Sequence, residues 1–435
     1  MKYLIQTWGC QMNDHDSEKL AGLLAKEGFE AAQGVEEADL VILNTCSIRE
    51  KAVNKVYSEL GRLREEKLRR PLLVGVAGCL AQQEKDGLFR RAPQIDFVLG
   101  TMAIRSLPRL VEDARAGRTR VIDTGEYPDN HLFPPETALR HSTAKALVTI
   151  IEGCNHACTY CVVPTTRGPE RHRPWKDVVR EVEDLVAMGY REVELLGQNV
   201  NSYLGGCTFA QLLDRVSEVE GLEWIRFTTS HPMNFTEELA RTLIGNPKVA
   251  PFLHLPVQSG SDAVLRRMRR EYTIDQYLER VGFLGEGRSR LALSTDFIVG
   301  FPGETEEDFQ ATLDLLERVR FDASFSFVYS PRPGTPALRL PDDLPAPEKN
   351  RRLARLQARQ TELTLESNRR MVGRTLKARV ESRGALEEGH WLARTGEWKN
   401  VHLEGAGDRR LPFGELVEVR VTGAGPHFLR AELVS

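Results

Sequence analysis

Seven cysteines, at positions 10, 46, 79, 154, 158, 161 and 207, are the residues of this chain best placed to do chemistry. They are too few and too clustered for a disulfide framework, and in a reducing compartment thiols more often serve metals or catalysis. Three lie in IEGCNHACTYCVVP with the spacing C-x3-C-x2-C. Thiolates this close can hold three irons of a 4Fe-4S cube and leave the fourth iron without a protein ligand, open for chemistry. Two other readings of the motif stand beside this one. A structural zinc site wants four ligands, and the spare candidates are His156 and the distant Cys207. A ferredoxin-type carrier would add a fourth Cys, commonly before Pro, and none follows Cys161 nearby.

Cys10, Cys46 and Cys79 each follow a short apolar run, YLIQTWGC, LVILNTC and LLVGVAGC, at separations of 36 and 33 residues. Those are the lengths of strand, helix, strand steps. In a doubly wound sheet, ligands bind outside the carboxyl ends of the parallel strands, so neighbouring strands would bring all three sulfurs to one edge. A second metal centre is one reading, and unrelated cysteines at strand ends are the other. Ser47 to Glu50 has the S-x-x-E pattern that would start a helix directly after Cys46.

The elements that must position these residues can be read from periodicity. Apolar runs at Tyr3 to Ile5, Leu40 to Leu43, Leu72 to Val76 and Ile95 to Leu99 alternate with helical patterns such as KAVNKVYSELGRLREEKLRR, which predicts a doubly wound α/β domain over residues 1–115. A segment rich in Pro, Gly and charge, from about Asp113 to Thr143, reads as a linker. From Leu147, runs at 147–151, 193–196, 224–227, 252–255, 291–299 and 323–328 alternate with amphipathic stretches. Six such strands suggest a (β/α)6 partial TIM barrel over residues 140–368, although a flat doubly wound sheet has the same periodicity. Short alternating runs from residue 369 to 435, broken by Gly and Asn, predict a small antiparallel β-barrel.

The chain has 435 residues, 41% hydrophobic and 28% charged, enough for about three domains with real cores. A disordered tail protein is excluded. No run approaches the ~18 apolar residues of a membrane span, and MKYLIQTWGC is too short and too soon interrupted for a signal peptide, so a cytoplasmic protein is expected. Lys plus Arg number 59 against 62 Asp plus Glu, a net charge of −3, so any attraction to nucleic acid must be local. The local candidate is Lys349 to Arg379, with ten Lys or Arg and two Glu, hence +8. There Arg351, Arg352, Arg355 and Arg359 are candidate phosphate contacts, and a solvated helix face is the plainer reading.

The C-x3-C-x2-C motif with Tyr160 before its last Cys, set in a (β/α) pattern, resembles the radical S-adenosylmethionine superfamily. The resemblance implies that S-adenosylmethionine chelates the open iron and is cleaved to a 5′-deoxyadenosyl radical. It also implies that GQN, TSHP, PVQSGS, Asp296 with GFPGE, and YSPRPGT line the cofactor pocket. Tyr160, Gln198, Asn199, Gln258 and Asp296 are the leading contacts, with strand-end caps and turns the alternative for each, and His231 is left unassigned.

WGCQMN, NTCSIRE and GVAGCLAQQE together resemble the amino-terminal domain of the methylthiotransferases, whose three cysteines carry an auxiliary Fe-S cluster, and the match runs over nearly the whole chain. The wording around the cysteines and PQIDFVLGT is similar to the MiaB type, which modifies N6-isopentenyladenosine beside the anticodon of tRNA. The type acting on a ribosomal protein usually has Pro-Lys where this chain has Gln11 and Met12. The carboxyl-terminal segment resembles the TRAM module, a small RNA-binding β-barrel. In VVPTTRGPERHRP the type usually has Tyr at Thr165 and Ser at His172, while Arg167, Gly168, Glu170 and Arg173 are retained.

The resemblance therefore implies two 4Fe-4S clusters, on Cys154, Cys158, Cys161 and on Cys10, Cys46, Cys79, with the chemistry carried by the clusters rather than by a catalytic side chain. One S-adenosylmethionine would supply a methyl group to sulfur on the auxiliary cluster, and a second would give the radical that takes hydrogen from C2 of the base. That C–H is too weakly acidic for general base catalysis, so a cofactor must do the hard step. The implied partners are tRNA carrying isopentenyladenosine and a low-potential donor such as flavodoxin or ferredoxin, with no membrane and a monomeric enzyme. A ribosomal protein side chain or another modified tRNA adenosine is the alternative substrate.

Overall fold

The computed structural model describes residues 1–47, 50–125, 138–140, 144–383, 391–404 and 411–434. The chain divides into two compact units. The first comprises Met1–His141, Glu152–His156 and Val162–Arg171. Its sheet has strands β1 (Lys2–Trp8), β2 (Glu30–Ala31), β3 (Leu40–Thr45), β4 (Leu73–Gly78), β5 (Phe97–Leu99) and β6 (Val121–Asp123). They are all parallel, in the order β2-β1-β3-β4-β5-β6. Strand β3 is buried at all six positions, as a strand covered on both faces must be. Helices α1 (Gln11–Lys26), α2 (Glu50–Arg69), α3 (Cys79–Glu84), α4 (Gly87–Arg91) and α5 (Leu107–Arg115) make the connections, and α6 (Val163–Arg167) joins this unit from the later segment.

The doubly wound expectation holds, with one correction. Strand β6 lies inside the stretch read as a linker and pairs with β5 from Phe97↔Val121 to Leu99↔Asp123. Three residues flanked by charge and Gly have no period to read, and only the free edge of β5 gives them a partner. Its first residues, Asp113 to Arg115, belong to α5, and its residues 126–137 and 141–143 lie outside the described residues, as do Ile48, Arg49 and the Glu50 side chain of the expected capping box.

The second unit comprises Ser142–Ile151, Ala157–Cys161 and His172–Ser435. Two-residue strands β8 (Ile151–Glu152) and β9 (Arg171–His172) flank the cysteine loop. The six expected strands are β7 (Ala146–Thr149), β10 (Glu192–Leu196), β11 (Trp224–Phe227), β12 (Phe252–His254), β13 (Ala292–Val299) and β14 (Ala323–Val328). Parallel pairing runs β7-β10-β11 and β12-β13-β14, and the parallel bridge Ile225↔Val249 joins the two halves. This is the partial barrel. The outward residues of its strands, such as Val148, Val193, Ile225, Leu253 and Phe297, share one core with the helices. Those helices are α7 (Trp175–Ala187), α8 (Phe209–Ser217), α9 (Glu237–Gly245), α10 (Asp262–Met268), α11 (Ile274–Gly282), α12 (Glu306–Val319) and α13 (Ala346–Arg369).

The carboxyl-terminal strands β15 (Thr375–Arg383), β16 (Trp391–Thr395), β17 (Asn400–Glu404), β18 (Leu416–Ala424) and β19 (Leu429–Leu433) close a five-stranded barrel. Charged side chains fix it to the partial barrel. Glu192 accepts from Arg226 Nε at 2.8 Å and from Arg379 Nε at 2.7 Å, and Arg226 also donates to the carbonyls of Thr395 and Gly396 at 3.0 Å. All three charged side chains are buried. Trp398 stacks on Phe252 beside them, 5.3 Å between ring centres.

Helix α13 corrects the reading of the basic run. Arg352 is buried and ion-paired to Glu304 at 2.7 Å, while Arg355 meets Glu306 at 2.7 Å and Arg359 meets Glu317. Arg351 pairs with Glu348 one turn earlier, at 2.6 Å. These four cations answer carboxylates of α12, of the segment before it and of α13 itself, so they are not a row of uncommitted charges. Sequence spacing along one helix cannot reveal acids contributed by another.

Candidate active site

Three of the cysteines stand at the carboxyl ends of three adjacent parallel strands. The β1, β3 and β4 ladders pair Trp8 with Thr45 and Thr45 with Gly78. Cys46 and Cys79 are the next residues along neighbouring strands, which run about 4.8 Å apart, and Cys10 lies two residues beyond Trp8. Gly78 makes the last turn possible. Its φ is +89°, and a Cβ there would come within 2.3 Å of Asn44 Oδ1 and 2.7 Å of the Thr45 carbonyl.

Polar side chains support this edge. Cys10 precedes α1 as its capping residue, and Asn13 Oδ1 lies 3.3 Å from the Cys10 amide and 3.5 Å from its sulfur. Asn44 Nδ2 donates to the Asn13 carbonyl and to Ser17 Oγ, each at 2.9 Å.

Arg167 is the residue at this edge that sequence reasoning undervalued, noting it only as retained. It is buried and donates to Asp16 Oδ2 at 2.6 Å. Burial pushes the Cys79 thiol up, and the Arg167 guanidinium beside it pulls it back. Next to it, the Gly168 carbonyl accepts from the Cys154 amide at 3.1 Å. The signal available in sequence was position: Arg167 comes six residues after Cys161.

Among the described residues, no three Cys, His, Asp or Glu side chains converge closely enough to hold a single ion. Ligands of a cubane bind different irons and stand further apart than ligands of one ion, and a set of three thiols on a sheet edge suits a cluster.

Of the second set, Cys158 and Cys161 lie in the second unit and Cys154 in the first. The Cys161 amide donates to the Cys158 carbonyl at 3.1 Å, a tight turn that keeps the two thiols on one short loop. That loop is pinned through Thr159, whose amide donates to the Met268 carbonyl at 3.0 Å and whose hydroxyl donates to that of Arg267 at 2.9 Å. Arg270, which nothing in the local sequence singles out, is buried here. It lies 3.5 Å from both Cys158 Sγ and Tyr160 Oη, and donates to the Pro256 carbonyl at 2.8 Å and to Tyr272 Oη at 3.0 Å. Burial raises the Tyr160 phenol well above its ordinary range, which keeps it neutral. Its ring packs edge-on to Phe301. Cys207, the remaining thiol, is half-buried against the barrel core.

Of the polar residues expected around the cofactor, Gln198, Asn199 and Gln258 lie beyond the carboxyl ends of β10 and β12, while Asp296 lies within β13. Gln198 and Asn199 follow β10, and Asn199 Nδ2 donates to Asn234 Oδ1 at 3.0 Å while the buried side-chain Oδ1 of Asn199 has no hydrogen-bond partner among the described residues. Gln258 takes a φ of +76° and bridges β13, receiving from the Ile298 amide and donating to the Asp296 carbonyl, each at 2.9 Å. Asp296 Oδ1 lies 3.4 Å from His254 Nε2. A left-handed non-Gly residue and an unpartnered buried oxygen are features that a bound polar ligand would explain.

Other members of the same segments make contacts within the fold. Ser230 donates to the His254 carbonyl, His231 caps a turn through the Met233 amide at 3.3 Å, and Ser259 lies 3.4 Å from Thr312. Glu304 receives from the Gly300 amide at 2.9 Å and holds Arg352. Thr165 merely returns its hydroxyl to the Val162 carbonyl, at 2.8 Å.

Comparison with known proteins identifies three matched regions. Residues 2–100 match the family described as Uncharacterized protein family UPF0004, residues 148–316 the Radical SAM superfamily, and residues 369–434 the TRAM domain. Among solved structures, the radical S-adenosylmethionine methyltransferase TsrM from Kitasatospora setae shares the fold, with a TM-score of 0.57 at 16% identity over 77% of this chain and 73% of that one. The cobalamin-dependent radical enzyme OxsB gives 0.53 at 14% identity, over 84% of this chain and 56% of that one. Curated relatives are far closer in sequence. A tRNA-2-methylthio-N(6)-dimethylallyladenosine synthase from Anaeromyxobacter sp. (strain K) is 49% identical over 99% of this chain and 94% of that one. Those of Myxococcus xanthus and Aeromonas hydrophila are 46% and 44% identical over the full chain, covering 94% and 92% of theirs. With identity of that order along essentially the whole length, and both three-cysteine sets in place, this chain belongs to the family of the tRNA-2-methylthio-N(6)-dimethylallyladenosine synthases.

Proposed function

We propose that this chain attaches a methylthio group to C2 of N6-isopentenyladenosine next to the anticodon of tRNA, using one S-adenosylmethionine as methyl donor and one as radical source. The observation that carries this reading is near-full-length identity to synthases of that name, joined to three thiols at the carboxyl ends of β1, β3 and β4 and three more in C-x3-C-x2-C. When bound, a 4Fe-4S cluster on Cys154, Cys158 and Cys161 supplies the electron that cleaves S-adenosylmethionine, and one on Cys10, Cys46 and Cys79 supplies the site for sulfur.

The protein's own part is to hold and shield. Arg270 fixes the Cys158 thiol and the Tyr160 ring against the floor of the loop. Gln198, Asn199 and Gln258 beyond strand ends, and Asp296 within β13, offer amide and carboxylate groups suited to the amino acid and ribose portions of S-adenosylmethionine. Tyr160 with Phe301, Val264, Met268 and Tyr329 forms an apolar wall that keeps water from a radical. The target base, stacked in the anticodon arm, would be drawn out into the pocket at a cost of a few kcal/mol.

The division of labour follows residues 1–115 for the auxiliary centre, 140–368 for radical generation and 369–435 for RNA contact. No described helix is long and apolar enough to cross a membrane. We place the enzyme in the cytoplasm as a monomer served by a low-potential donor such as flavodoxin or ferredoxin. Mass analysis of tRNA nucleosides from cells with and without the gene tests the reading. Loss of the 2-methylthio nucleoside, with isopentenyladenosine accumulating, is expected. Unchanged tRNA together with loss of a modification on a ribosomal protein would replace it with the other substrate class.

A further inference from the structure

Strand β14 is turned against its own pattern. ASFSFV alternates apolar and polar residues, and that alternation alone predicts Phe325 and Phe327 on the covered face. Instead Val328, which shares a face with Ser324 and Ser326, packs against the core that the strands form with the helices. The two serine hydroxyls lie 3.2 Å apart on that side. Phe325 and Phe327 face the barrel interior and stay 53% and 49% exposed. Their register partners are Asp296 and Ile298 of β13. Phe325 also packs edge-on to His254, 5.9 Å between ring centres, and His254 meets Ser294 Oγ at 2.8 Å. A one-residue slip would cover both rings and leave hydroxyls in their place, so the register kept here forgoes apolar burial. Bare aromatic rings side by side on one strand face mark a binding surface.

The surroundings select the occupant. β14 ends its sheet, pairing with β13 and with no second strand among the described residues, so the rings stand at the open side of the partial barrel. Ile298, opposite Phe327, packs into the apolar group that contains Tyr160, so the wall runs on to the cysteine loop. The two rings and Ile298 offer carbon and neither a donor nor a charge, which matches neither phosphate nor ribose. Rings flanked by an aliphatic side chain suit a branched hydrocarbon, and the one such chain in the reaction is the dimethylallyl group on N6 of the target base. We propose that Phe325 and Phe327 seat this chain and are the residues by which the enzyme tells a prenylated adenosine from an unprenylated one. The inference rests on the reading that the substrate is N6-isopentenyladenosine in tRNA. A seat of this kind discriminates by the carbon it takes out of water, so its effect is confined to RNA that carries the chain.

The test is binding of the full-length reconstituted enzyme to two tRNAs identical except for the dimethylallyl group, with affinity for S-adenosylmethionine measured alongside. Wild type should bind the prenylated tRNA about tenfold or more tightly. F325S combined with F327S should abolish that preference by weakening the prenylated tRNA alone. F325L combined with F327L, which keeps apolar carbon at both places, should retain most of it. Equal weakening of both tRNAs would make the rings a general stacking or structural surface, and weaker S-adenosylmethionine binding would assign them to the cofactor. Either result, or an unchanged preference in the serine variant, overturns the proposal. If the serine variant does not fold, F327A decides on the same two tRNAs, and an undiminished preference there is a refutation. Wild type that methylthiolates the prenylated tRNA yet binds both equally overturns the inference alone, whereas wild type that methylthiolates neither tRNA removes the reading on which it rests.

Discussion

Arg352 Nη1 lies 2.7 Å from Glu304 Oε1, and both side chains are buried, so the most basic helix of the chain is anchored by the segment that ends GFPGE. Arg352→Ala would leave Glu304 enclosed without its cation, and breaking such a pair costs about 3–5 kcal/mol. Arg351, two-thirds exposed, should change stability by less than about 0.5 kcal/mol when made Ala. Urea unfolding of the two variants checks the contrast, and equal effects would mean that the buried pair does not hold α13.

Glu304 also gives a pH signature. Burial pushes its carboxyl above the ordinary range, and the hydrogen bonds from Arg352 and the Gly300 amide only partly oppose this. The folded state therefore keeps the proton to higher pH than the unfolded chain. The stability from this group is fully present below the unfolded value of about 4.3 and is lost as pH rises through the folded one. Wild-type stability should fall relative to Glu304→Gln as pH rises over that interval, and a relative gain would refute the assignment.

With the α13 arginines paired, the expected phosphate contacts are the basic residues near the β-barrel. Arg369, Arg370, Arg374 and Lys377 are exposed, and no ion pair involves them among the described residues. Arg374→Ala with Lys377→Ala should weaken tRNA binding and flatten its salt dependence by roughly 0.9 in slope for each lost contact. Arg355→Ala should alter that slope less, because Glu306 already answers the charge. Titrations at several salt concentrations separate the two sets, and the reverse order would restore the earlier reading of α13.

The β-barrel is seated by Arg379, whose buried side chain meets Glu192 of β10. Arg379→Ala should destabilise the protein by about 3–5 kcal/mol and expose the junction after α13 to protease, while Arg394→Ala, paired with Glu381 within the β-barrel, should not. Protease resistance of the Arg379 variant would show that apolar contacts alone hold the module.

The six barrel strands and the cysteines at strand ends were legible because apolar runs, helical periods and Cys positions are local signals. The partial barrel itself was legible only as one of two closures until the Ile225↔Val249 bridge joined its halves. Strand β6 was missed because three residues beside charge carry no period, and Arg270 because RRMRREYT offers several arginines with nothing to mark the one that turns inward. The ion pairs of α13 escaped for a different reason, since their acids sit as much as 49 residues away in sequence.

The most direct measurement of the central claim follows the hydrogen at C2. Reconstituted enzyme, S-adenosylmethionine, a reductant and tRNA whose isopentenyladenosine carries deuterium at C2 should yield 5′-deoxyadenosine containing that deuterium, together with S-adenosylhomocysteine and the 2-methylthio nucleoside. Cys46→Ala should still cleave S-adenosylmethionine but attach no sulfur. Deuterium-free 5′-deoxyadenosine accompanied by full methylthiolation would contradict the account.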